Sequence, residues 1–259
     1  MVDPNPEDVL LLASDAARLV LRSGAETYRA EETARTFCSA LGGVDAECYA
    51  TPTGVILSFF GADGRSRSIV RRVKGRSMNL ERIARIHALT RDLYAGQADF
   101  HQASDRLDAA ERLSGYPAGV TLFGAAAAAG FFTLLFGGSW NDALVAAPVG
   151  ALLSRLTRVL SRHGISDFFT NITGGGLAAL ACLAAGLAGW ASGPDTAIIG
   201  SIMLLVPGVA ITNAIRDTIA GDLVAGVARG ADAFISAAGI SIGAGAAFGL
   251  WRLIGLGAL

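Results

Sequence analysis

Over the first 115 residues, apolar positions mostly recur every third or fourth residue, with charged side chains in the gaps. Leu11, Leu12, Ala16, Leu19 and Val20, with Asp15, Arg18 and Arg22 between them, predict a helix from Asp8. Gly24 interrupts it, and Ala25–Leu41 continues as a second helix ending at Gly42-Gly43. The pattern then turns β-like over Thr53–Phe60 and Arg67–Val73. The Asp63-Gly64 pair within Gly61-Ala62-Asp63-Gly64 predicts a hairpin between them. Pro52 confines the start of the first strand to an edge or a strand beginning. Asn79 caps a predicted helix Leu80–Tyr94, whose buried stripe is Ile83, Ile86 and Leu89–Leu93, with Arg82, Arg85 and Arg91 on the wet side. A polar helix over Phe100–Leu113 completes a small α+β domain, residues 1–115.

From Tyr116 onward the runs are apolar and long. A bilayer core of ~30 Å needs about 20 helical residues. Five runs qualify: 116–136, 143–160, 169–190, 196–215 and 231–251. The basic residues fall on alternate connections. Residues 137–142 and 192–195 have none, whereas Arg155, Arg158 and Arg162 follow the second run and Arg216 and Arg229 follow the fourth. The positive-inside bias then places the N-terminus in the cytoplasm and the C-terminus outside. The expected fold is an α-helical membrane protein of about five transmembrane helices, 116–259, preceded by a small α+β cytoplasmic domain. Gly226/Gly230, Gly239/Gly243 and Gly245/Gly249 repeat small residues at one helical turn, which favours close helix approach in lipid.

Composition sharpens this division. Mean hydropathy is +0.48 and only 17% of the 259 residues are charged, against roughly 25% in soluble domains. Residues 1–115 hold 15 of the 21 Lys and Arg and 16 of the 22 Asp and Glu, whereas 24 of the 33 glycines lie beyond. A disordered chain, a disulfide scaffold and a simple soluble enzyme are excluded. The net charge of −1 gives no reason to expect nucleic acid. The run Arg65, Arg67, Arg71, Arg72, Lys74, Arg76 reads as a solvated hairpin or a face near anionic headgroups. Cys38, Cys48 and Cys182 lack metal or disulfide spacing and read as structural thiols, and His87, His101 and His163 are isolated, so no metal or cofactor is expected. The acidic start MVDPNPED does not fit a secretory signal.

The segment Val206–Asp232 carries the candidate chemistry. Pro207-Gly208 should break or kink the fourth span. Broken helices at membrane depth belong beside protein or a water-filled cavity, and the exposed N–H groups of a half-helix attract a carboxylate. Thr212 and Arg216 then share one face, and Asn213 and Asp217 another. A plain kink, or an interfacial loop holding Arg216, Asp217 and Asp222, is the simpler alternative. Asn171 with Gly174-Gly175-Gly176 is a second interruption, read as close packing more readily than as unwound backbone. On a continuous helix Asp217 and Asp222, five apart, would face different ways. With no GxGD motif present, this argues against an aspartyl hydrolase.

Three stretches together resemble the threonine/serine exporter family, and its N-terminal half in particular. They are Leu12–Glu32 with Ser23-Gly24-Ala25-Glu26-Thr27-Tyr28-Arg29, Thr53–Ser58, and Leu205–Asp217 with Gly221-Asp222, Gly226 and Arg229. The resemblance covers about residues 8 to 255. It implies a proton-driven secondary exporter of small amino or organic acids in the inner membrane. It marks Pro207, Gly208, Asn213, Asp217, Asp222 and Arg229 in the membrane part and Gly24, Glu26, Arg29 and Glu32 in the soluble part. In this reading Pro207-Gly208 with Thr212 and Asn213 holds the substrate carboxylate, and Asp217 or Asp222 couples the proton. Full-length members have about ten spans, so five spans imply a second small membrane protein, or further copies of the chain, as partner. A small dicarboxylate such as succinate is the alternative substrate, and a non-transporting scaffold or sensor the alternative role. Glu26, Arg29 and Glu32 share one side of a helix and read as an ion-pair ladder, a gate or an oligomer contact.

Overall fold

Ten helices and three strands follow one another in the computed structural model, which describes residues 4–61, 63–75 and 77–254. Ala62 of the predicted turn, Arg76 of the basic run and Met1–Asp3 of the N-terminal stretch lie outside the described residues. The chain divides into two compact units, Met1–Gly115 with Val209–Ala231, and Tyr116–Gly208 with Asp232–Leu259. Gly115 is thus a boundary, and a later segment, Val209–Ala231, joins the N-terminal unit.

In the first unit, α1 (Pro6–Arg22) and α2 (Thr27–Ala40) meet at a turn where Gly24 has φ +91. This left-handed conformation suits glycine. Three strands, β1 (Val44–Thr51), β2 (Gly54–Phe60) and β3 (Ser66–Arg72), form an antiparallel sheet in the order β1-β2-β3. The predicted first strand is therefore the central one. Pro52 sits in the tight turn ahead of it. Strand β1 carries little apolar periodicity: only Cys48 and Ala50 are buried, and a register shift lies between Val44 and Glu47. Helices α3 (Leu80–Tyr94) and α4 (Phe100–Glu111) follow, with Asn79 accepting the Arg82 amide as predicted. Phe37, Leu57, Phe59 and Ile86 are fully or almost fully buried in this core. Arg82 departs from expectation. It is 7% exposed, and its guanidinium donates to the carbonyls of Ala110, Glu111 and Leu113 at 2.9–3.2 Å. The end of α4 has carbonyls without helical partners, and a buried arginine satisfies them.

In the second unit, α5 (Ala118–Leu135), α6 (Trp140–Arg162) and α7 (Asp167–Leu187) correspond to the first three predicted spans. The predicted fourth span is two short helices, α8 (Pro194–Ile202) in this unit and α9 (Gly208–Ile219), which from Val209 belongs to the first unit, separated by irregular backbone at Met203–Pro207. The long α10 (Leu223–Leu253) follows. Among the described residues, α5, α6, α7 and α10 are long and apolar enough to cross a membrane. The 22 residues from Asp232 to Leu253 alone extend about 33 Å.

Glycine sets the packing here. A Cβ at Gly175 would lie 2.5 Å from the Ile240 carbonyl, and one at Gly243 would overlap that of Ile172, so α7 and α10 touch backbone to backbone. Helix α7 runs unbroken through Gly174-Gly175-Gly176, which is close packing. Gly239 and Gly243 both face α7, whereas Gly245 and Gly249 face open space. Asp142, 2% exposed, ties two connections together. Its Oδ2 accepts from the Ser139 amide and hydroxyl, and its Oδ1 from the amides of Ser192 and Gly193 at 2.8 Å. The two connections without basic residues therefore lie at one end of the helices.

Candidate functional site

The first turn of α2 leaves backbone N–H groups without helical partners. Glu26 occupies its N-cap but forms no capping hydrogen bond there. Asp217 of α9 does so instead: its Oδ1 accepts from the Thr27 amide at 3.2 Å and from the Thr27 hydroxyl at 3.0 Å. A carboxylate at the positive end of a helix is favourable. The four residues Gly24–Thr27 each bond to α9, α10 or the turn between them. Asn213 Nδ2 donates to the Gly24 carbonyl at 2.8 Å, and Arg229 Nη2 to that of Ala25 at 2.7 Å. Arg216 Nη1 donates to Glu26 Oε1 at 2.6 Å. The Thr27 hydroxyl also lies 2.9 Å from Asp222 Oδ2.

Local geometry follows from the sequence. The i, i+4 spacing puts Asn213 and Asp217 on the buried face of α9 and leaves Thr212 and Arg216 exposed. Asp217 is wholly buried, and Arg229, 7% exposed, pairs with it, Nε to Oδ2 at 2.9 Å. The N–H is not aligned with that oxygen, so the contact is electrostatic rather than a linear hydrogen bond. The helix stops at Ile219, and Gly221 turns the chain with φ +93. The two aspartates therefore do not share a continuous helix, and both converge on the Thr27 hydroxyl.

Glu26 bridges Arg216 and Arg29, the latter 3.0 Å from its Oε2. Burial alone would push the Glu26 carboxyl up, but its backbone hydrogen bond and the two arginines outweigh this and hold it below the usual range. The ladder is thus Arg29–Glu26–Arg216; Glu32 is exposed and joins no ion pair among the described residues. Pro207 and Gly208 belong to the second unit. Sequence reasoning overlooked Thr27. The available signal was an N-terminal helix turn opening with Glu26 in place of a capping Ser, Thr, Asp or Asn.

Cys38 and Cys48 are buried free thiols pushed up to about 12 by burial, and Cys182 is also free and buried. No group of three or more His, Cys, Asp or Glu residues suited to a metal occurs among the described residues.

The sequence profile of the threonine/serine exporter family matches residues 11–251. The chain is 30% identical to a probable threonine/serine exporter of Mycobacterium tuberculosis over 93% of its own length and 46% of the relative's. It is 28% identical to a threonine/serine exporter of Corynebacterium glutamicum, again covering 50% of that protein. The chain thus spans about half the length of these exporter relatives. It is 25% identical to a probable succinate transporter subunit, YjjP, of Klebsiella aerogenes over 95% of both chains. No solved structure matches.

Proposed function

The chain belongs to the threonine/serine exporter family, and on that premise we propose that it is a membrane subunit exporting small carboxylate-bearing metabolites, threonine or serine first. Proton movement drives the export. The supporting observation is the Thr27 hydroxyl, 3.0 Å from Asp217 and 2.9 Å from Asp222. One hydroxyl has one proton to donate and cannot serve two carboxylates. A proton on Asp217 or Asp222 completes the network. Without it, two acids compete for one donor while Arg229 neutralises one of them. Asp217, Asp222 and Arg229 are the coupling residues, and Gly24, Glu26, Arg29 and Asn213 fix the start of α2 beside them. Glu32 and Thr212 are exposed. The break before Pro207-Gly208 belongs to the substrate path, as irregular backbone at membrane depth requires a cavity.

We count α8 with Met203–Pro207 as a fourth crossing, giving five. Helix α8 supplies about 14 Å, and Met203, Leu204 and Leu205 continue it as hydrogen-bonded turn at about 2 Å each, so this crossing is shorter than the ~30 Å bilayer core and the count of five rests on the alternation of the arginines. The Asp142 tie places the two arginine-free connections at one end, which favours an inner-membrane topology with the N-terminus cytoplasmic and the C-terminus outside. A second small membrane protein completes the transporter, a reading supported by the word subunit in the names of the relatives that the chain covers over 95% and 96% of their length; further copies of this chain are the other arrangement. Export of a small dicarboxylate is the second reading. It is favoured by two relatives, of Klebsiella aerogenes and Escherichia coli, covered over 95% and 96% of their length and each named a probable succinate transporter subunit.

Everted vesicles carrying the chain and its partner, given an imposed inward-acidic gradient, should accumulate labelled threonine. Asp217→Asn and Asp222→Asn should each reduce this at least tenfold. Full activity in both variants removes the coupling role.

A further inference from the structure

The irregular backbone of the second unit borders a cleft of about 500 Å³, and Leu204 and Leu205 form part of its wall. Most of the remaining wall is polar: Ser154, Arg158, Asp167, Thr170, Asn171 and Ser236 contribute from α6, α7 and α10. These polar groups are unspent. Arg158 and Asp167 form no ion pair among the described residues, with each other or elsewhere, so a positive and a negative charge are held apart.

Thr170 is the most telling residue. Hydroxyls inside apolar helices usually return their proton to a carbonyl three or four residues back. Thr121, Thr133, Thr157 and Thr173 all do so. Thr170 is 6% exposed, and its hydroxyl has no hydrogen-bond partner among the described residues. A buried polar atom without a partner is disfavoured unless something else supplies one. Asn171, 8% exposed on the same wall, likewise makes no side-chain hydrogen bond among the described residues.

We infer that this cleft is the substrate seat, and that its charge pair selects a zwitterionic amino acid with a short side chain over a dicarboxylate. Arg158 takes the carboxylate and Asp167 the ammonium, while Thr170 and Asn171 meet the remaining polar atoms. A dicarboxylate would set its second negative charge against Asp167 with one cation to share. Arg158 lies in the arginine-bearing last turns of α6 and Asp167 opens α7, so the seat loads from the end that the charge bias makes cytoplasmic. This inference rests on the exporter reading.

Serine and glycerate, which differ in an ammonium against a hydroxyl, provide the test in everted vesicles with the chain and its partner. Arg158→Gln should raise the half-saturation concentration for both about tenfold or more while maximal rate is retained, and Arg158→Lys should recover part of the loss. Asp167→Asn should weaken serine about tenfold and leave glycerate unchanged. Serine should slow thiol labelling of Ser154→Cys, the native cysteines being buried. Unchanged half-saturation in both charge variants, or labelling indifferent to serine, overturns the seat while uptake itself upholds the exporter reading. Succinate preferred over serine overturns the zwitterion selection. Loss of the partner from purified Arg158→Gln and Arg158→Lys assigns the cleft to an assembly contact and overturns the inference. Absence of wild-type uptake for every substrate removes the exporter reading itself.

Discussion

Truncating Asp217 to alanine removes an anion that the structure surrounds with donors. Its Oδ1 accepts from the Thr27 amide and hydroxyl at 3.2 and 3.0 Å, and its Oδ2 lies 2.9 Å from Arg229 Nε. The two paired side chains are 0% and 8% exposed. Losing one member of a buried ion pair costs about 3–5 kcal/mol, largely because the other charge is left buried. With about 2–4 °C of Tm per kcal/mol at this chain length, Asp217→Ala should lower Tm by about 6–20 °C. Arg229→Ala should lower it comparably, and the double variant should lose no more than the worse single one. The coupling in that cycle should then equal at least the smaller single loss, about 3 kcal/mol or more. Thermal unfolding of purified protein in detergent, followed by circular dichroism, gives the four values. Single losses within about 1 kcal/mol of wild type, or losses that add in the double variant, refute a functioning buried pair.

Two further outcomes follow from the geometry. Gly243→Leu should abolish folding of the second unit, because the Ile172 carbonyl occupies the space that a Cβ needs, whereas Gly249→Ala should be neutral because nothing lies within 4 Å; size-exclusion profiles of fluorescent fusions distinguish them. The Glu26 carboxyl is held below its ordinary value, so its contribution to stability is present above about pH 4.5 and is lost as pH falls through its folded value. A denaturation series from pH 7 to 3 should show a smaller loss in Glu26→Gln than in wild type, and equal losses contradict the ion-pair assignment.

Much of this was legible in the chain. Apolar run length located α5, α6, α7 and most of α10, and Pro207-Gly208 announced the break after α8. The i, i+4 spacing separated Asn213 and Asp217 from Thr212 and Arg216 correctly. Strand β1 was hidden because the sheet buries only Cys48 and Ala50 of it, which leaves no alternation to read. Arg82 was misplaced because its helical position looks solvated, and only the distant end of α4 explains its burial. The meeting of Asp217 and Asp222 at Thr27 is a contact across about 190 residues, and it depends on Gly221 ending the helix. Local periodicity carries no information about such contacts. The cleft escaped notice for the same reason: Arg158, Thr170 and Ser236 come from three helices.

The central claim is that a proton exchanged at Asp217 and Asp222 is tied to substrate movement. Everted vesicles with a trapped pH indicator test it directly, with proton flux and labelled threonine recorded in the same sample. Adding threonine should dissipate an imposed pH gradient in proportion to threonine taken up, and the double variant Asp217→Asn, Asp222→Asn should abolish the proton flux. Threonine uptake with no accompanying proton flux in the wild type would contradict it.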